Sequence, residues 1–163
     1  IFPMLLCCPF MDLDAEIEAR CCCAVADIFA HDGETEFRRI EKETLSDILS
    51  AHAQDTSIPA NTTLVLALGG GAVMTPECEK MVHEQTVCVY LRTSVDELVA
   101  RLTDESAGRP LLAASDLKTR IETLMSLRME TYERTAHLII DTDSKTIDEV
   151  GKEIITRMAT CKP

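Results

Sequence analysis

Short apolar runs separated by amphipathic segments recur along the chain, and they predict alternating strands and helices. Four runs read as strands because they are rich in β-branched and other apolar residues: PFMDLD, TTLVLAL, TVCVYL and HLIID. Helical segments lie between them, and this β-α alternation is typical of a parallel sheet flanked by helices. The pattern therefore predicts a single α/β domain over residues 1–163.

Residue types that favour helix N-termini mark three of the helix starts. Thr75-Pro76-Glu77 offers an N-cap followed by proline at the first helical position. The segments SVDE at Ser94 and TIDE at Thr146 have the spacing of capping boxes. We expect a helix to begin at each of these points.

The segment from Glu34 to Leu49 carries an apolar stripe at helical spacing, formed by Phe37, Ile40, Leu45 and Ile48. Such a stripe predicts a helix that packs one side against the core. The charged positions of EKETL fall on the other side, where we expect a solvated face.

The stretch TTLVLALGGGAV, residues 62–73, ends an apolar run on the glycine triplet Gly69, Gly70 and Gly71. A run of this kind predicts a strand covered on both faces, and ligands bind at the carboxyl ends of such strands. Without side chains, the backbone can approach a ligand closely or adopt positive φ. A tight strand-to-helix turn is the alternative interpretation.

The composition suits one compact domain and argues against two classes of partner. The chain has 163 residues, of which 46% are hydrophobic, and a formal net charge of -12. Such acidity disfavours nucleic acid and anionic membrane surfaces, and we see no apolar run of membrane-spanning length. Any anionic ligand has to be met by a few well-placed arginines.

The eight cysteines include two adjacent blocks, Cys7–Cys8 and Cys21–Cys23. Because no CxxC pair or nearby histidine pair completes a zinc pattern, free thiols in a reducing compartment are the preferred interpretation. We therefore expect a cytoplasmic protein, with a plastid location as the alternative. The chain does not begin with Met, so we expect a processed or incomplete chain.

Candidate chemistry is concentrated in four places: DLD at Asp12–Asp14, EFRRIE around Arg38, the glycine triplet, and the arginines Arg109 and Arg128. Each has a structural explanation when taken singly. A carboxylate after a strand caps a helix, FRRIE supplies ordinary ion pairs, and an arginine in a loop is solvated.

Taken together and in this order, these features resemble the shikimate kinases, which are small P-loop kinases with a three-layer α/β/α fold. The resemblance runs from about Leu6 to the C-terminus. It rests on PFMDLDAEIEAR, VADIFAHDGETEFRRIE, LALGGGAV, TVCVYL, GRPLL and LRMETYERTAHLIIDTD. It implies transfer of the terminal phosphoryl of ATP to the 3-hydroxyl of shikimate with Mg²⁺, a step in chorismate and aromatic amino-acid biosynthesis.

The resemblance also implies a substrate-binding region at about residues 12–50. There Asp14 binds the ring hydroxyls and orients or deprotonates the attacking one. Arg38 and Arg128 hold the substrate carboxylate, for which a guanidinium fork is well suited. The glycine triplet lets backbone N–H groups reach the substrate.

Two further residues receive nucleotide-side roles from the resemblance. Arg109 lies in the segment 103–115, which has no apolar periodicity and which the resemblance identifies as the lid loop. There Arg109 would stabilise charge on the transferring phosphoryl group. Lys145, in DTDSKT, falls in the adenine-proximal loop. The implied partners are shikimate and ATP or ADP, and we expect a monomer.

The sequence departs from the family at the nucleotide side. It contains no GxxxxGK[ST] segment, so we expect the first strand and P-loop to be missing and this chain, taken literally, to be inactive. Ala67 stands where the family usually has a hydroxyl residue near Mg²⁺, which leaves Asp12 as an outer-sphere acid. Cys21–Cys23 replace a threonine–glycine turn, and a cysteine held at positive φ there would be strained.

Two alternatives to an active shikimate kinase remain. One is a non-catalytic relative that keeps the shikimate pocket as a binding or regulatory module. The other is a kinase of the same fold that acts on another sugar acid or acetylated hydroxyl compound.

Overall fold

A computed structural model describes residues 8–54, 64–105 and 114–160, and in this part of the chain it contains four strands and seven α-helices. The strands are β1 Phe10–Asp12, β2 Val65–Ala67, β3 Val89–Arg92 and β4 Leu138–Asp141. The helices are α1 Leu13–Cys21, α2 Val25–His31, α3 Gly33–Gln54, α4 Pro76–Gln85, α5 Val95–Glu105, α6 Ala114–Thr135 and α7 Ile147–Thr160. The chain divides into two compact units, Ile1–Thr86 and Val87–Pro163. The expectation of a single domain stays a prediction.

In the first unit, β1 and β2 form a parallel pair in which Asp12 lies beside Ala67. Helix α3 contacts α1, α2 and α4. The core of this unit includes side chains from each of these four helices: Leu13, Ile17, Ile28, Phe37, Leu45, Cys78 and Val82. The long helix α3 therefore forms the frame on which the other helices of the unit are held.

In the second unit, β3 and β4 form another parallel pair. Leu138 and Ile140 of β4 are buried, as is Ile154 of α7, which packs on this strand. Helices α5 and α6 pack on each other. Burying alternate residues of β4 accounts for the apolar pattern of HLIID.

The α/β class and the parallel pairing are confirmed, but the first two strands are shorter than predicted. In PFMDLD only Phe10–Asp12 is extended, because Asp12 caps α1 and the helix begins at Leu13. The described part of TTLVLAL contributes Val65–Ala67 to β2, and all three residues are half-buried. The prediction of a strand covered completely on both faces was therefore wrong for β2.

The three predicted helix starts are confirmed, but their caps differ. At Thr146 the box is complete, since the Glu149 carboxylate accepts from the Thr146 N–H at 2.8 Å and the Glu149 N–H donates to Thr146 Oγ1 at 3.3 Å. Ser94 Oγ accepts from the Glu97 N–H at 3.3 Å, while the Glu97 carboxylate pairs with Arg101. Thr75 stands at the N-cap of α4 without a side-chain capping bond.

The predicted solvated face of α3 was wrong at one of its charged positions, since Glu41 is 1% exposed. The uncharged Thr44 beside it is buried as well, at 5% exposed. Phe37 and Leu45 are buried as predicted, whereas Ile40 and Ile48 are half-buried. The physical reason is that α3 contacts helices on more than one side, so its buried surface is wider than the apolar stripe.

The loop predicted over residues 103–115 is shorter at both ends, because α5 continues to Glu105 and α6 begins at Ala114. Its remaining part, which includes Arg109, lies outside the described residues. The lid assignment stays a prediction.

The described residues bear on two predictions from composition, that of free thiols and that of no membrane span. Cys8, Cys21, Cys22, Cys23, Cys78 and Cys88 are free thiols, and Cys78 is buried. None of the described helices is long and apolar enough to cross a membrane.

Candidate functional site

Asp14 lies in the first turn of α1, two residues after the carboxyl end of β1. Helix α1 begins here because the Asp12 side chain accepts from the Ala15 N–H at 3.1 Å, which satisfies a backbone donor of the first turn. Burial, then the charges of Asp12 and Glu18, raise the pKa of the Asp14 carboxyl, although Arg38 opposes this shift. The site thus holds Asp14 closer to its protonated form than an exposed aspartate, as suits a group that exchanges a proton.

Arg38 projects from α3 and is held by two carboxylates of the same helix. Its Nη1 donates to Glu41 Oε2 at 2.7 Å and its Nη2 donates to Glu34 Oε1 at 3.4 Å. The guanidinium carbon also lies 5.3 Å from the centroid of the Phe37 ring. Burial alone would lower the pKa of Arg38, but Glu41 and Glu34 outweigh it and raise this pKa above its usual value.

Glu41 is a buried carboxylate whose assigned partner is Arg38. Burial raises the pKa of Glu41, Arg38 opposes the shift, and the nearby charge of Asp14 adds to it. A carboxylate removed from water in this way is strongly destabilising unless its partner stays in place. Glu41 therefore ties the orientation of the Arg38 guanidinium to the stability of the unit.

The two outer glycines of the triplet lie against these charged groups. A Cβ atom placed on Gly69 would lie 3.1 Å from Oδ1 and 3.2 Å from Oδ2 of Asp14. A Cβ atom on Gly71 would overlap both terminal nitrogens of Arg38, with Nη1 only 2.6 Å away. The two outer glycines therefore allow this close approach, because a Cβ at either position would push the Asp14 carboxylate or the Arg38 guanidinium aside.

The turn itself is held by backbone hydrogen bonds. The Ala72 N–H donates to the Gly69 carbonyl and the Met74 N–H to the Gly71 carbonyl, each at 3.0 Å. These bonds form the 3-10 turn Ala72–Met74, which contacts α3 and α4. Gly70 lies at the exposed position between the two outer glycines.

Asp14, Arg38, Gly69 and Gly71 are thus brought together, as predicted from the sequence. The arrangement presents one carboxylate and one guanidinium along a strip of glycine backbone. Such a set can bind a small molecule that carries both hydroxyl groups and a carboxylate, since carboxylates accept from hydroxyls and guanidinium groups donate to carboxylates.

Three of the remaining predicted site residues belong to the second unit or lie outside the described residues. Arg128 is half-buried in α6 of the second unit. Lys145 follows β4, and its Nζ lies 2.6 Å from Glu153 Oε2 of α7. Arg109 lies outside the described residues. The roles of these three residues stay predictions.

The described residues do not by themselves form a Mg²⁺ site. At the end of β1, an oxygen of Asp12 already accepts the capping bond of α1, and its neighbour Ala67 offers no oxygen from its side chain. No cluster of three or more metal-ligating side chains occurs in residues 8–54, 64–105 and 114–160. The predicted outer role of Asp12, through water held by the metal, stays a prediction.

The cysteine turn after α1 contains a residue at positive φ, as the family's threonine–glycine turn at this place implied. Cys22, at the C-cap of α1, has φ 54° and ψ 30°, in the left-handed region. A residue with a Cβ is strained in this conformation. The prediction of a strained turn at Cys21–Cys23 is therefore confirmed at its middle residue.

Sequence reasoning missed Glu34 and Glu41 as members of the site. Glu41 was interpreted as part of a solvated face and Glu34 was given no role, although each lies one helical turn from Arg38. That spacing alone was a usable signal, because residues three or four apart share a helix face. Only the burial of Glu41 distinguishes the Arg38–Glu41 ion pair from an ordinary surface pair.

Comparison with known proteins gives a consistent result. The family model described as shikimate kinase matches residues 4–159. The chain is 37% identical over 149 residues to a shikimate kinase of Bordetella pertussis, covering 91% of this chain and 65% of that protein. It is 36% identical to a shikimate kinase of Thermus thermophilus, covering 91% of this chain and 75% of the relative.

A solved structure shares the fold. It is the shikimate kinase from Acinetobacter baumannii in complex with shikimate, with a TM-score of 0.80 and 27% identity. The match covers 98% of this chain and 83% of that chain. The present chain therefore spans most, but not all, of the length of its relatives, and only about two thirds of the Bordetella protein.

Proposed function

The chain belongs to the shikimate kinase family, and from that premise we propose that its protein transfers a phosphoryl group from ATP to the 3-hydroxyl of shikimate. The observation that carries the proposal is the placement of Asp14 and Arg38 against the two outer glycines of one turn. A relative of similar fold was solved with shikimate bound.

Arg38 would bind the substrate carboxylate. Its guanidinium is fixed by Glu41 on one terminal nitrogen, and a fixed planar fork recognises a carboxylate with little loss of entropy. Arg128 would contribute a second guanidinium, as the family resemblance implies.

Asp14 would bind the ring hydroxyls and accept the proton of the attacking one. A carboxylate accepts from hydroxyl donors, and partial burial raises its pKa toward the range that favours proton acceptance. The Gly70 backbone, flanked by the glycines that touch Asp14 and Arg38, would allow the ring to approach without a steric clash.

The phosphoryl donor would be ATP, with Arg109 and Lys145 on its side of the reaction. Mg²⁺ would supply charge neutralisation on the phosphates when bound. We assign no direct metal ligand, because Asp12 is suited only to an outer contact.

Calorimetric titration of the 163-residue chain with shikimate tests the substrate half of this proposal. The Arg38→Lys variant keeps the charge and loses the fork, so it should bind about tenfold more weakly or worse. The matched control is Arg39→Lys at the next position, since Arg39 pairs with Glu36 and Glu43 on the exposed side of α3. It should bind like the wild type.

Phosphoryl transfer is then measured on the natural gene product with ATP, Mg²⁺ and shikimate, following ADP and the phosphorylated product. Shikimate-dependent ADP release supports the kinase. Binding without turnover would overturn the kinase in favour of the non-catalytic binding module. Failure of the wild type to bind shikimate would overturn both.

A further inference from the structure

The two carboxylates that hold Arg38 differ in how easily they can leave. Glu41 is 1% exposed and its Oε2 lies 2.7 Å from Nη1. The Glu34 side chain is 70% exposed and its Oε1 lies 3.4 Å from Nη2. The first contact is short and buried, whereas the second is long and open to solvent.

The atom that Glu34 contacts is the one that an incoming carboxylate needs. A guanidinium binds a carboxylate through two parallel N–H groups, either Nη1 with Nη2 or Nε with Nη2. Both arrangements use Nη2. Because Glu41 is buried against Nη1, the contact that can give way to a two-point ligand is that of the exposed Glu34.

The charges around Arg38 give the Glu34 contact a consequence for ligand binding. Near the glycine turn, Asp14, Glu34 and Glu41 all act on Arg38 or on one another electrostatically. Three carboxylates therefore surround one guanidinium in this part of the described chain. An anionic ligand meets less negative charge there when Glu34 turns away into water, which its exposure allows.

We propose that Glu34 is a specificity-determining residue that occupies the carboxylate position of the site when no ligand is bound. It acts as an internal competitor for Arg38 and is displaced by a ligand carboxylate. The inference rests on the proposed function for the identity of the ligand. Its consequence is that weak, single-point anions are disfavoured, since only a carboxylate that engages both N–H groups replaces what Glu34 supplied.

Titration calorimetry with shikimate on Glu34→Gln and Glu34→Ala tests the proposal. Each variant should bind shikimate about two- to fivefold more tightly than the wild type, the range expected for losing one exposed ion pair. Glu36→Gln is the matched control. It removes the same charge only two residues further along the helix, but Glu36 pairs with Arg39 and not with Arg38. Its affinity should equal that of the wild type.

A second ligand separates competition from general electrostatics. Shikimate methyl ester lacks the carboxylate, so its affinity should not change in Glu34→Gln, and the acid-to-ester preference should rise by the same factor. In an Arg38→Lys background the Glu34→Gln gain should disappear. Thermal unfolding of each variant shows that the fold is kept.

Three results would overturn the inference while leaving the proposed function standing: equal shikimate affinity in wild type and Glu34→Gln, weaker binding in Glu34→Gln, or an equal gain in Glu36→Gln. Weaker binding would make Glu34 a positioning residue for Arg38. Absence of shikimate binding by the wild type would instead overturn the proposed function itself.

Discussion

The carboxyl ends of the two strand pairs use polar residues in opposite ways. After β3 and β4, in the second unit, the polar side chains bind one another. Thr93 Oγ1 lies 2.7 Å from Thr142 Oγ1, and the Ser94 N–H donates to Asp143 at 2.9 Å. Arg92 pairs with Asp141 along the same two strands.

After β1 and β2, in the first unit, the charged groups face a backbone without side chains. Asp14 and Arg38 lie against Gly69 and Gly71, and burial raises the pKa of both Asp14 and Glu41. Polar side chains that hydrogen-bond to one another stabilise the loops that carry them. Charged side chains that are partly removed from water beside a glycine backbone are available to a ligand. This difference supports the proposed assignment of carboxylate and hydroxyl recognition to the first unit among the described residues.

The largest expected effect comes from removing Arg38. Arg38→Ala leaves Glu41 buried without its partner and should lower the free energy of unfolding by about 3 kcal/mol at pH 7. Chemical denaturation measures the loss. It should shrink as the pH falls through the raised pKa of Glu41 toward the usual 4.5, because protonation removes the buried charge.

Two controls accompany this variant. Arg38→Ala/Glu41→Gln should recover part of the stability, and an equal loss in single and double variants would contradict the argument. Arg92→Ala breaks an exposed pair in the other unit and should stay close to the wild type.

Gly71→Ala should weaken shikimate binding by about tenfold or more, because the new methyl group would displace the Arg38 guanidinium. Gly69→Ala should have a smaller effect, since its Cβ would be 3.1 Å from the Asp14 carboxylate and a shift of a few tenths of an ångström relieves the contact. Calorimetry on both variants, with thermal unfolding as the check on folding, ranks them. The reverse order would show that the turn is placed differently from what we describe.

Among the described residues, each unit holds one residue other than glycine in the left-handed region, Cys22 at φ 54° and Ser144 at φ 57°. Cys22→Gly and Ser144→Gly should each raise the free energy of unfolding by roughly 0.5 kcal/mol, the relief of strain less the entropy that glycine adds to the unfolded chain. Denaturation curves provide the measurement. Cys23→Gly is the control and should destabilise, because Cys23 is not at positive φ.

The smallest effect concerns the charge of Asp14. Because burial and neighbouring carboxylates raise its pKa in the folded state, the ionised form opposes folding at neutral pH. Asp14→Asn should therefore stabilise the protein by roughly 0.5 kcal/mol or less at pH 7. This gain should fade as the pH drops through the raised pKa toward 3.8. In an activity assay the variant should also lose phosphoryl transfer. An Asp14→Asn variant less stable than the wild type would contradict the raised direction of the Asp14 pKa.

The sequence could predict those features that depend on neighbours along the chain. Alternating apolar runs predicted the strands, and the box at Thr146 formed as its spacing required, since a cap needs only residues within one turn. These predictions hold because helix and strand periodicity are local properties. The cluster of Asp14, Arg38 and the glycines was predicted from the resemblance of DLD, FRRIE and GGG to the shikimate kinases.

What lies beside a residue from a distant part of the chain was decided only by the tertiary structure. Nothing local distinguishes Glu41 from Glu43, yet Glu41 is buried and Glu43 forms surface pairs with Arg39 and Arg20. Likewise, the glycine triplet could have been a simple turn. Gly71 touches Arg38, 33 positions earlier, only because α3 and the 3-10 turn pack together. Desolvation and steric contact depend on the packing of separate elements, so only the fold decided that Glu41 is buried and that the outer glycines lie against charged groups.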